Sequence, residues 1–309
     1  MPLKPPRLSV IIPCHNGAAT LAQQLEALAR QQFDKASEGA WQGEWEVIVV
    51  NNGSTDRSVE IAEGYRDRLP RLTIAEAHQP GTPLLGVTHS YNVGLQAAQG
   101  DAFAFCEADD EVCDHWVQAV GSALQQHELI AGSLCHDQLN EAWQIEAFGA
   151  GSQMEQLPRF YLIEKYVYAS GCNLAFRRSV YDKLGPIDES IRYVWDMEFC
   201  WKAQDLGIAM VFVPEMAIQY RLPTKLPKIY NRVRLWCIET AELQRRYQGR
   251  NSAIALLKLN YWTLKYSALS AFCWLRYSMG GSKAKLAQSL HELGGCVGRF
   301  QGTFYLSRV

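Results

Sequence analysis

A chain of 309 residues, 48% hydrophobic and 20% charged, can bury a substantial core, which excludes a disordered or low-complexity protein. Nine cysteines, scattered singly and odd in number, exclude a small disulfide-stapled scaffold and predict reduced thiols. The net charge of −2 conceals a division: residues 1–220 carry 15 Lys+Arg against 29 Asp+Glu (net −14), and residues 221–309 carry 15 against 3 (net +12).

That division predicts an acidic body at 1–220 and a basic C-terminal region at 221–309. The basic region is expected to meet an anionic membrane surface, a lipid-linked acceptor or an acidic partner, and not nucleic acid. The N-terminal MPLKPPRLSVIIP has no apolar run of signal-peptide length. The most apolar stretch, 253–279, is interrupted by Lys258, Asn260, Lys265 and Arg276, too often to cross a bilayer. The expectation is a cytoplasmic protein, peripheral at the inner face of the cell membrane.

In chain order, LSVIIP (8–13) reads as a strand and is followed by a helix near 18–32; WEVIVV (45–50) is followed by one near 56–68. LTIAE (72–76) precedes a helix near 88–99, and AFAFC (102–106) precedes one near 114–126. Apolar β-branched runs alternating with helical patterns predict an α/β fold, a mostly parallel sheet with helices on both faces. Ligands of such sheets lie beyond the carboxyl ends of the strands, so PCHN (13–16), NNGSTD (51–56) and EADDE (107–111) should face one crevice.

Each loop has a bland reading beside a chemical one. In NNGSTD, Gly53 permits a turn, Asp56 can cap the next helix, and Asn51 and Asn52 offer amides to a base or ribose. In FCEADDEV, Glu107, Asp109, Asp110 and Glu111 form either a solvated turn behind a buried strand or hard oxygen ligands for Mg²⁺ or Mn²⁺.

The ordered set LSVIIPCHN, VIVVNNGSTD, SYNVGLQAAQGD, FCEADDEV and IDESIRYVWDMEFCWKAQDLG resembles the family 2 nucleotide-sugar glycosyltransferases over roughly residues 7–220. The resemblance implies a GT-A, Rossmann-like domain at 1–220 with a C-terminal helical extension. It implies inverting, metal-dependent transfer of a sugar from a nucleoside diphosphate donor, UDP first among candidates, to a glycan or lipid-linked acceptor in polysaccharide or cell-envelope glycan synthesis. Nucleotide contacts would come from Pro13, His15, Asn16, Asn52, Gly53, Ser54, Asn92, Glu107 and Ala108. Asp109, with Glu107 and Asp110, would hold the metal, and Asp196, otherwise an N-cap, would be the general base. Trp195, Gly171, Asn173 and Arg221 would meet acceptor or phosphate.

The sequence departs from the family pattern at four places: Asn51-Asn52 for Asp-Asp, Tyr91 for the Arg of A-R-N, Glu107 for the first aspartate of D-x-D, and Trp195 for an acidic residue. They motivate a second reading, a catalytically silent nucleotide-sugar or glycan-binding subunit. A third, a sugar nucleotidyltransferase, lacks a glycine-rich basic loop after the first strand to handle a triphosphate.

The basic region carries apolar stripes at helical spacing: Ile229, Val233, Trp236, Thr240, Leu243 and Tyr247; Ile254, Leu257, Tyr261, Leu264, Ala268 and Leu275; Leu286, Leu290, Leu293, Val297 and Phe300. The stripes themselves are expected to pack on their own domain, and the surrounding positive charge to lie near a membrane.

Overall fold

The computed structural model describes residues 7–34, 44–148, 153–160, 163–248 and 253–305, with side chains described except at 248, 253–260, 304 and 305. The chain forms two compact units, Met1–Cys135 with Ser152–Arg159 and Tyr166–Tyr220, and His136–Gly151 with Phe160–Lys165 and Arg221–Val309. One boundary falls at Tyr220, where the charge changes, but the second unit also takes in His136–Gly151 and Phe160–Lys165 from within the segment 1–220 expected as one domain. All nine cysteines are free.

The first unit holds an eight-stranded sheet. Its parallel half is β1 (Leu8–Cys14), β2 (Trp45–Asn51), β3 (Thr73–Glu76) and β4 (Ala102–Phe105), in the order β3-β2-β1-β4. Every residue of β1 and β2 is buried, as expected of strands covered on both faces. The sheet continues from β4 through β9 (Leu174–Arg177), β6 (Leu129–Cys135) and β10 (Met210–Gln219) to β5 (Glu111–Val112). Strand β9 runs antiparallel to both neighbours, and β5 antiparallel to β10. Strands β7 (Arg159–Phe160) and β8 (Ile163–Val167) form a separate pair.

Alternation along β4 sorts the two faces. Ala102 and Ala104 join a core with Leu21, Leu25 and Leu28 of α1 (Leu21–Ala29), Ala62 of α2 (Ser58–Glu63), and Trp116, Val117 and Val120 of α4 (Trp116–Leu124). Phe103 and Phe105 project to the other face. Phe103 meets Phe176 and Tyr181 edge-on, with centroids 5.6 and 5.9 Å away, Tyr181 belonging to α6 (Arg178–Leu184). Phe105 lies 4.4 Å from Tyr91 of α3 (Val87–Ala97) and 5.9 Å from Trp195 of α7 (Trp195–Asp205).

Two expected helix starts move. Asp56 lies one residue before the cap position of α2, Arg57, although its carboxylate accepts the N–H of Ser58, the first residue of the helix. Asp196 is not an N-cap either: Val194 holds that position, and Asp196 is the second residue of α7.

The second unit contains α5 (Ala142–Phe148) and three long helices, α8 (Leu226–Gln248), α9 (Ala253–Ser278) and α10 (Lys283–Tyr305). Ile229, Thr240 and Leu243 of the first predicted stripe are buried, as is Leu286 of the third. Beside that third stripe runs a second feature of α10, Gly294, Gly298 and Gly302. A Cβ at these positions would stand 2.6, 2.2 and 2.7 Å from the carbonyl oxygens of Tyr230, Arg234 and Ile238 of α8. One helix thus rests on the other backbone to backbone, which glycine alone permits. The middle stripe does not pack as expected: Tyr261, Leu264 and Leu275 are exposed, and Ile254 and Leu257 lie outside the residues whose side chains are described. Among the described residues no helix is long and apolar enough to cross a membrane.

Candidate active site

Strand order reverses between β1 and β4, since β2 and β3 extend the sheet on one side of β1 and β4 on the other. Such a switch point opens a crevice at the strands' carboxyl ends. The loops after β1 and β2 are sewn together there. Asn16, in the left-handed region at φ 52°, donates its N–H to Ser54 Oγ at 3.1 Å and accepts the Thr55 N–H at 2.8 Å. Gly17 N–H reaches Ser58 Oγ at 2.8 Å, and Ala18 N–H reaches Asp56 at 3.0 Å. Asp56 also accepts the N–H of Ser58, the first residue of α2, at 3.0 Å, so it both holds the helix start and clips the two loops together. Its hydrogen bonds, that from the Ser58 hydroxyl foremost, hold its carboxyl below the usual range. Gly53 sits at φ 67° against the His78 ring, 2.7 Å from where its Cβ would be, so it is glycine for both reasons.

The predicted nucleotide contacts divide. Pro13 is buried within β1, opposite Val50. The Asn16 amide and Ser54 hydroxyl join the two loops, and Asn51 is engaged by Glu76 at 2.8 Å and by Ser54 N–H at 3.0 Å. Asn92, expected at the nucleotide, instead holds the chain before α7: it donates to Ile187 O and Glu189 at 2.9 Å and accepts Ile187 N–H at 2.9 Å. Glu189 therefore ionises below the usual range. Burial opposes this, but the hydrogen bonds of Asn92 and His89 outweigh it.

His15 and Asn52 are placed differently. His15 Nδ1–H donates to the Asn52 carbonyl at 2.8 Å, which fixes an exposed ring at the crevice. Asn52 donates its amide N–H to Leu85 O at 2.8 Å. A carbonyl can only accept, so the nitrogen must lie on that side. This leaves Asn52 Oδ1 as an acceptor, 6% exposed as a residue and without a protein partner.

The acidic turn follows β4. Carboxylate oxygens of Glu107, Asp109 and Asp110 lie within 4.8 Å of one another, a grouping found among the described residues at this turn. Gln24, buried in α1, holds it: Nε2 donates to Glu107 O at 3.0 Å and Oε1 accepts Val112 N–H at 3.0 Å. No motif flagged Gln24; its signal was an amide on the apolar face of α1. Ala108 closes on the loop after β1, 3.5 Å from where a Gly17 Cβ would stand. The neighbouring Cys106 thiol is pushed well above its ordinary value by burial and then by the charges of Asp110 and Glu107, so it stays a neutral thiol. The grouped donors, Glu107, Asp109 and Asp110, are all carboxylate oxygens, which fits Mg²⁺ or Mn²⁺ and not a soft metal.

At the start of α7, Asp196 is half-buried. Its Oδ2 accepts Gly171 N–H at 2.9 Å and its Oδ1 accepts Met197 N–H at 2.8 Å. Its charge is felt nearby: burial first, then Asp196, pushes the Tyr168 phenol to about 12. Trp195, expected as a plane for an acceptor, is 5% exposed and packs inward on Tyr91, 4.8 Å between centroids. Its ring also covers Gly171, where a Cβ would stand 2.2 Å from the indole. Two of the four departures from the family pattern, Tyr91 and Trp195, are thus one contact: aromatic packing occupies positions where the family carries charge. The Tyr91 hydroxyl is fully buried without a partner, and burial, then the charge of Glu107, raises it well above its ordinary value.

Asn173, expected to meet acceptor or phosphate, has its amide engaged by the scaffold. It is buried, accepts Trp116 Nε1–H at 2.9 Å and donates to Ser133 O and Met216 O at 3.0 and 2.8 Å. Arg221 is the first residue of the second unit's long segment.

The profile described as "Glycosyl transferase family 2" matches residues 9–185. Glycosyltransferase AglE of Haloferax volcanii is 26% identical over 214 residues, 68% of this chain and 66% of its own length. Poly(ribitol-phosphate) beta-N-acetylglucosaminyltransferase TarS of Staphylococcus aureus is 30% identical over 125 residues, 39% of this chain and 19% of its own. The chain thus spans less than two thirds of either relative. Among solved structures, mannosyltransferase PcManGT from Pyrobaculum calidifontis, in complex with GDP-Man and Mn²⁺, superposes with a TM-score of 0.61 at 17% identity, covering 98% of this chain and 89% of that one. TarS 1-349 of S. aureus, in complex with UDP-GlcNAc, gives 0.52 at 20% identity over 98% and 92%. These likenesses establish the GT-A fold expected from the motifs. The profile match runs from the first strand to the glycine that ends α6, more than half of the chain, and the protein belongs to glycosyl transferase family 2.

Proposed function

We propose that the protein transfers a sugar from a nucleoside diphosphate donor, with inversion, to a hydroxyl of a glycan or lipid-linked acceptor in cell-envelope glycan synthesis, at an anionic membrane face met by its basic C-terminal region. The observation that carries this is Asp196, whose two oxygens are fixed by Gly171 and Met197 N–H in the same unit as the acidic turn at the switch point. A general base needs that fixed orientation toward an incoming hydroxyl.

On the donor side, the exposed His15 ring suits stacking on a base. Asn52 Oδ1 suits a ring N–H donor, as uracil, thymine and guanine present and cytosine does not. The TarS and PcManGT structures are complexes with UDP-GlcNAc and GDP-Man, which supports the donor class and leaves uridine the first candidate. The relative that acts on poly(ribitol-phosphate) supports an envelope glycan acceptor. Glu107, Asp109 and Asp110 would hold Mg²⁺ or Mn²⁺, which when bound would neutralise the departing diphosphate. Gln24 keeps the turn's backbone in place, and Asp196 takes the acceptor's proton.

The test is release of nucleoside diphosphate from a panel of sugar nucleotides, with and without Mn²⁺. The wild type should turn over a donor, and Asp196→Asn should lower turnover by about 10²–10⁴ while still binding it. Equal rates in the two proteins would remove Asp196 as base. Donor binding without turnover in the wild type would favour the silent-subunit reading.

A further inference from the structure

Helix α9 is inside out. Along its described part, the residues turned toward the protein are Thr263, Tyr266, Ser270 and Cys273, at helical spacing, and the buried Ser270 hydroxyl donates to Ser289 O of α10 at 2.9 Å. The opposite side carries Tyr261 at 62% exposure, Leu264 at 73%, Phe272 at 59%, Leu275 at 52% and Met279 at 66%. A surface helix of a globular protein has the reverse arrangement, with its apolar stripe inward. So large an unbroken apolar face needs an occupant.

Charge and composition name it. Between Gln248 and His291 the sequence has no Asp or Glu but carries Arg250, Lys258, Lys265, Arg276, Lys283 and Lys285. Lys265 and Arg276, eleven residues or three turns apart, run along one edge of the apolar face. Lys265 Nζ lies 4.5 Å above the Trp262 ring, its stem along apolar surface and its charge at the rim. Trp274, 64% exposed, stands on the other flank. An apolar face bordered by Trp, Tyr and cations, without acid, matches the depth profile of an anionic lipid interface. A second copy of the same helix would bring like charges together with no carboxylate on this stretch to pair them.

We propose that α9 lies in the plane of an anionic membrane, with Leu264, Phe272, Leu275 and Met279 among the acyl chains and Lys265 and Arg276 at the headgroups. This deepens the membrane-facing part of the proposed function and is read without turnover. A chain that binds vesicles but transfers no sugar contradicts only the catalytic reading, and one that turns over donor but ignores vesicles contradicts only this one.

The experiment is flotation of the full chain with vesicles of phosphatidylcholine alone or mixed with phosphatidylglycerol. It compares the wild type with Leu264→Glu/Leu275→Glu and Lys265→Glu/Arg276→Glu, the folding of each checked by circular dichroism. The wild type should float with the mixed vesicles, and its tryptophan emission should move to the blue in a manner lost in Trp274→Phe. Each double variant should bind at least about tenfold more weakly, the charge pair through headgroup attraction and the leucine pair through lost insertion. Because all four altered side chains are exposed or at the rim, both variants should keep the wild-type fold, and the charge pair keeps the test decisive should the leucine pair aggregate. Absence of flotation, or flotation untouched by either double variant, overturns the proposal. So does a dimer that Leu264→Glu/Leu275→Glu dissociates in a wild type that ignores vesicles, which would assign the face to a second copy.

Discussion

At the residue scale, the candidate base depends on a glycine and a tryptophan that no proton passes through. The indole of Trp195 rests on Gly171, whose N–H holds Asp196. Gly171→Ala should destabilise the fold by about 1–3 kcal/mol through overpacking. It should also lower turnover more than donor affinity; combining it with Trp195→Leu should give less than the sum of the two losses, measured by melting and steady-state kinetics. On the donor side, Asn52→Ala should weaken UDP binding about tenfold or more by removing the buried acceptor, and leave CDP, which lacks a ring N–H, near its wild-type affinity by calorimetry. Tyr168 gives a pH signature. Its folded value, raised to about 12, means that its contribution to stability is complete below its unfolded value near 10 and is lost as pH rises through the folded one. Alkaline titration by tyrosinate absorbance should show late-ionising tyrosines, Tyr168 as well as the buried Tyr91, one fewer in Tyr168→Phe and with the Tyr168 component earlier in Asp196→Asn.

At the scale of elements, the parallel half was legible because β1, β2 and β4 are buried, largely apolar runs and each strand, the partly exposed β3 included, is followed by a helical pattern. The second half of the sheet was not. Strand β6 is interrupted by Gly132 and Ser133, β10 contains Pro214 and Glu215 where its register with β6 shifts, and the four-residue β9 is flanked by a tight turn and a helix. Tertiary pairing, and no local period, makes these segments strands. Likewise, the leucines of α10 drew attention away from Gly294, Gly298 and Gly302, whose value appears only against the α8 backbone. Gly298→Ala places a methyl 2.2 Å from Arg234 O and should cost about 1–3 kcal/mol, seen as a lowered melting temperature. Gln24→Leu keeps the volume of α1 but frees the acidic turn. It should weaken Mn²⁺ binding severalfold while shifting stability by no more than about 1–3 kcal/mol for the buried groups left unpaired.

At the scale of the whole molecule, the charge reversal read from composition falls at one of the divisions between the two units, Tyr220 and Arg221, whereas composition gave no sign that His136–Gly151 and Phe160–Lys165 join the second unit. The loops of the candidate site were legible, since motif order placed them after β1, β2 and β4 at one switch point. It was not legible as contacts: Asn16, Asn51, Asn92 and Asn173 have the chemistry of ligand-binding residues, yet their amides hold the scaffold. Only partner geometry separates them from Asn52, whose buried Oδ1 has no hydrogen-bond partner among the described residues. The departures at Tyr91 and Trp195, apparent defects in sequence, become one packed pair in space. The claim that this unit holds a metal-assisted donor site is tested most directly by thermal shift with UDP, GDP, TDP and CDP, each with and without Mn²⁺, on the wild type and Asp109→Ala. The account predicts a Mn²⁺-dependent rise in melting temperature with one nucleotide, UDP first, that disappears in Asp109→Ala. No shift with any nucleotide at millimolar concentration, or an equal shift in Asp109→Ala, would contradict it.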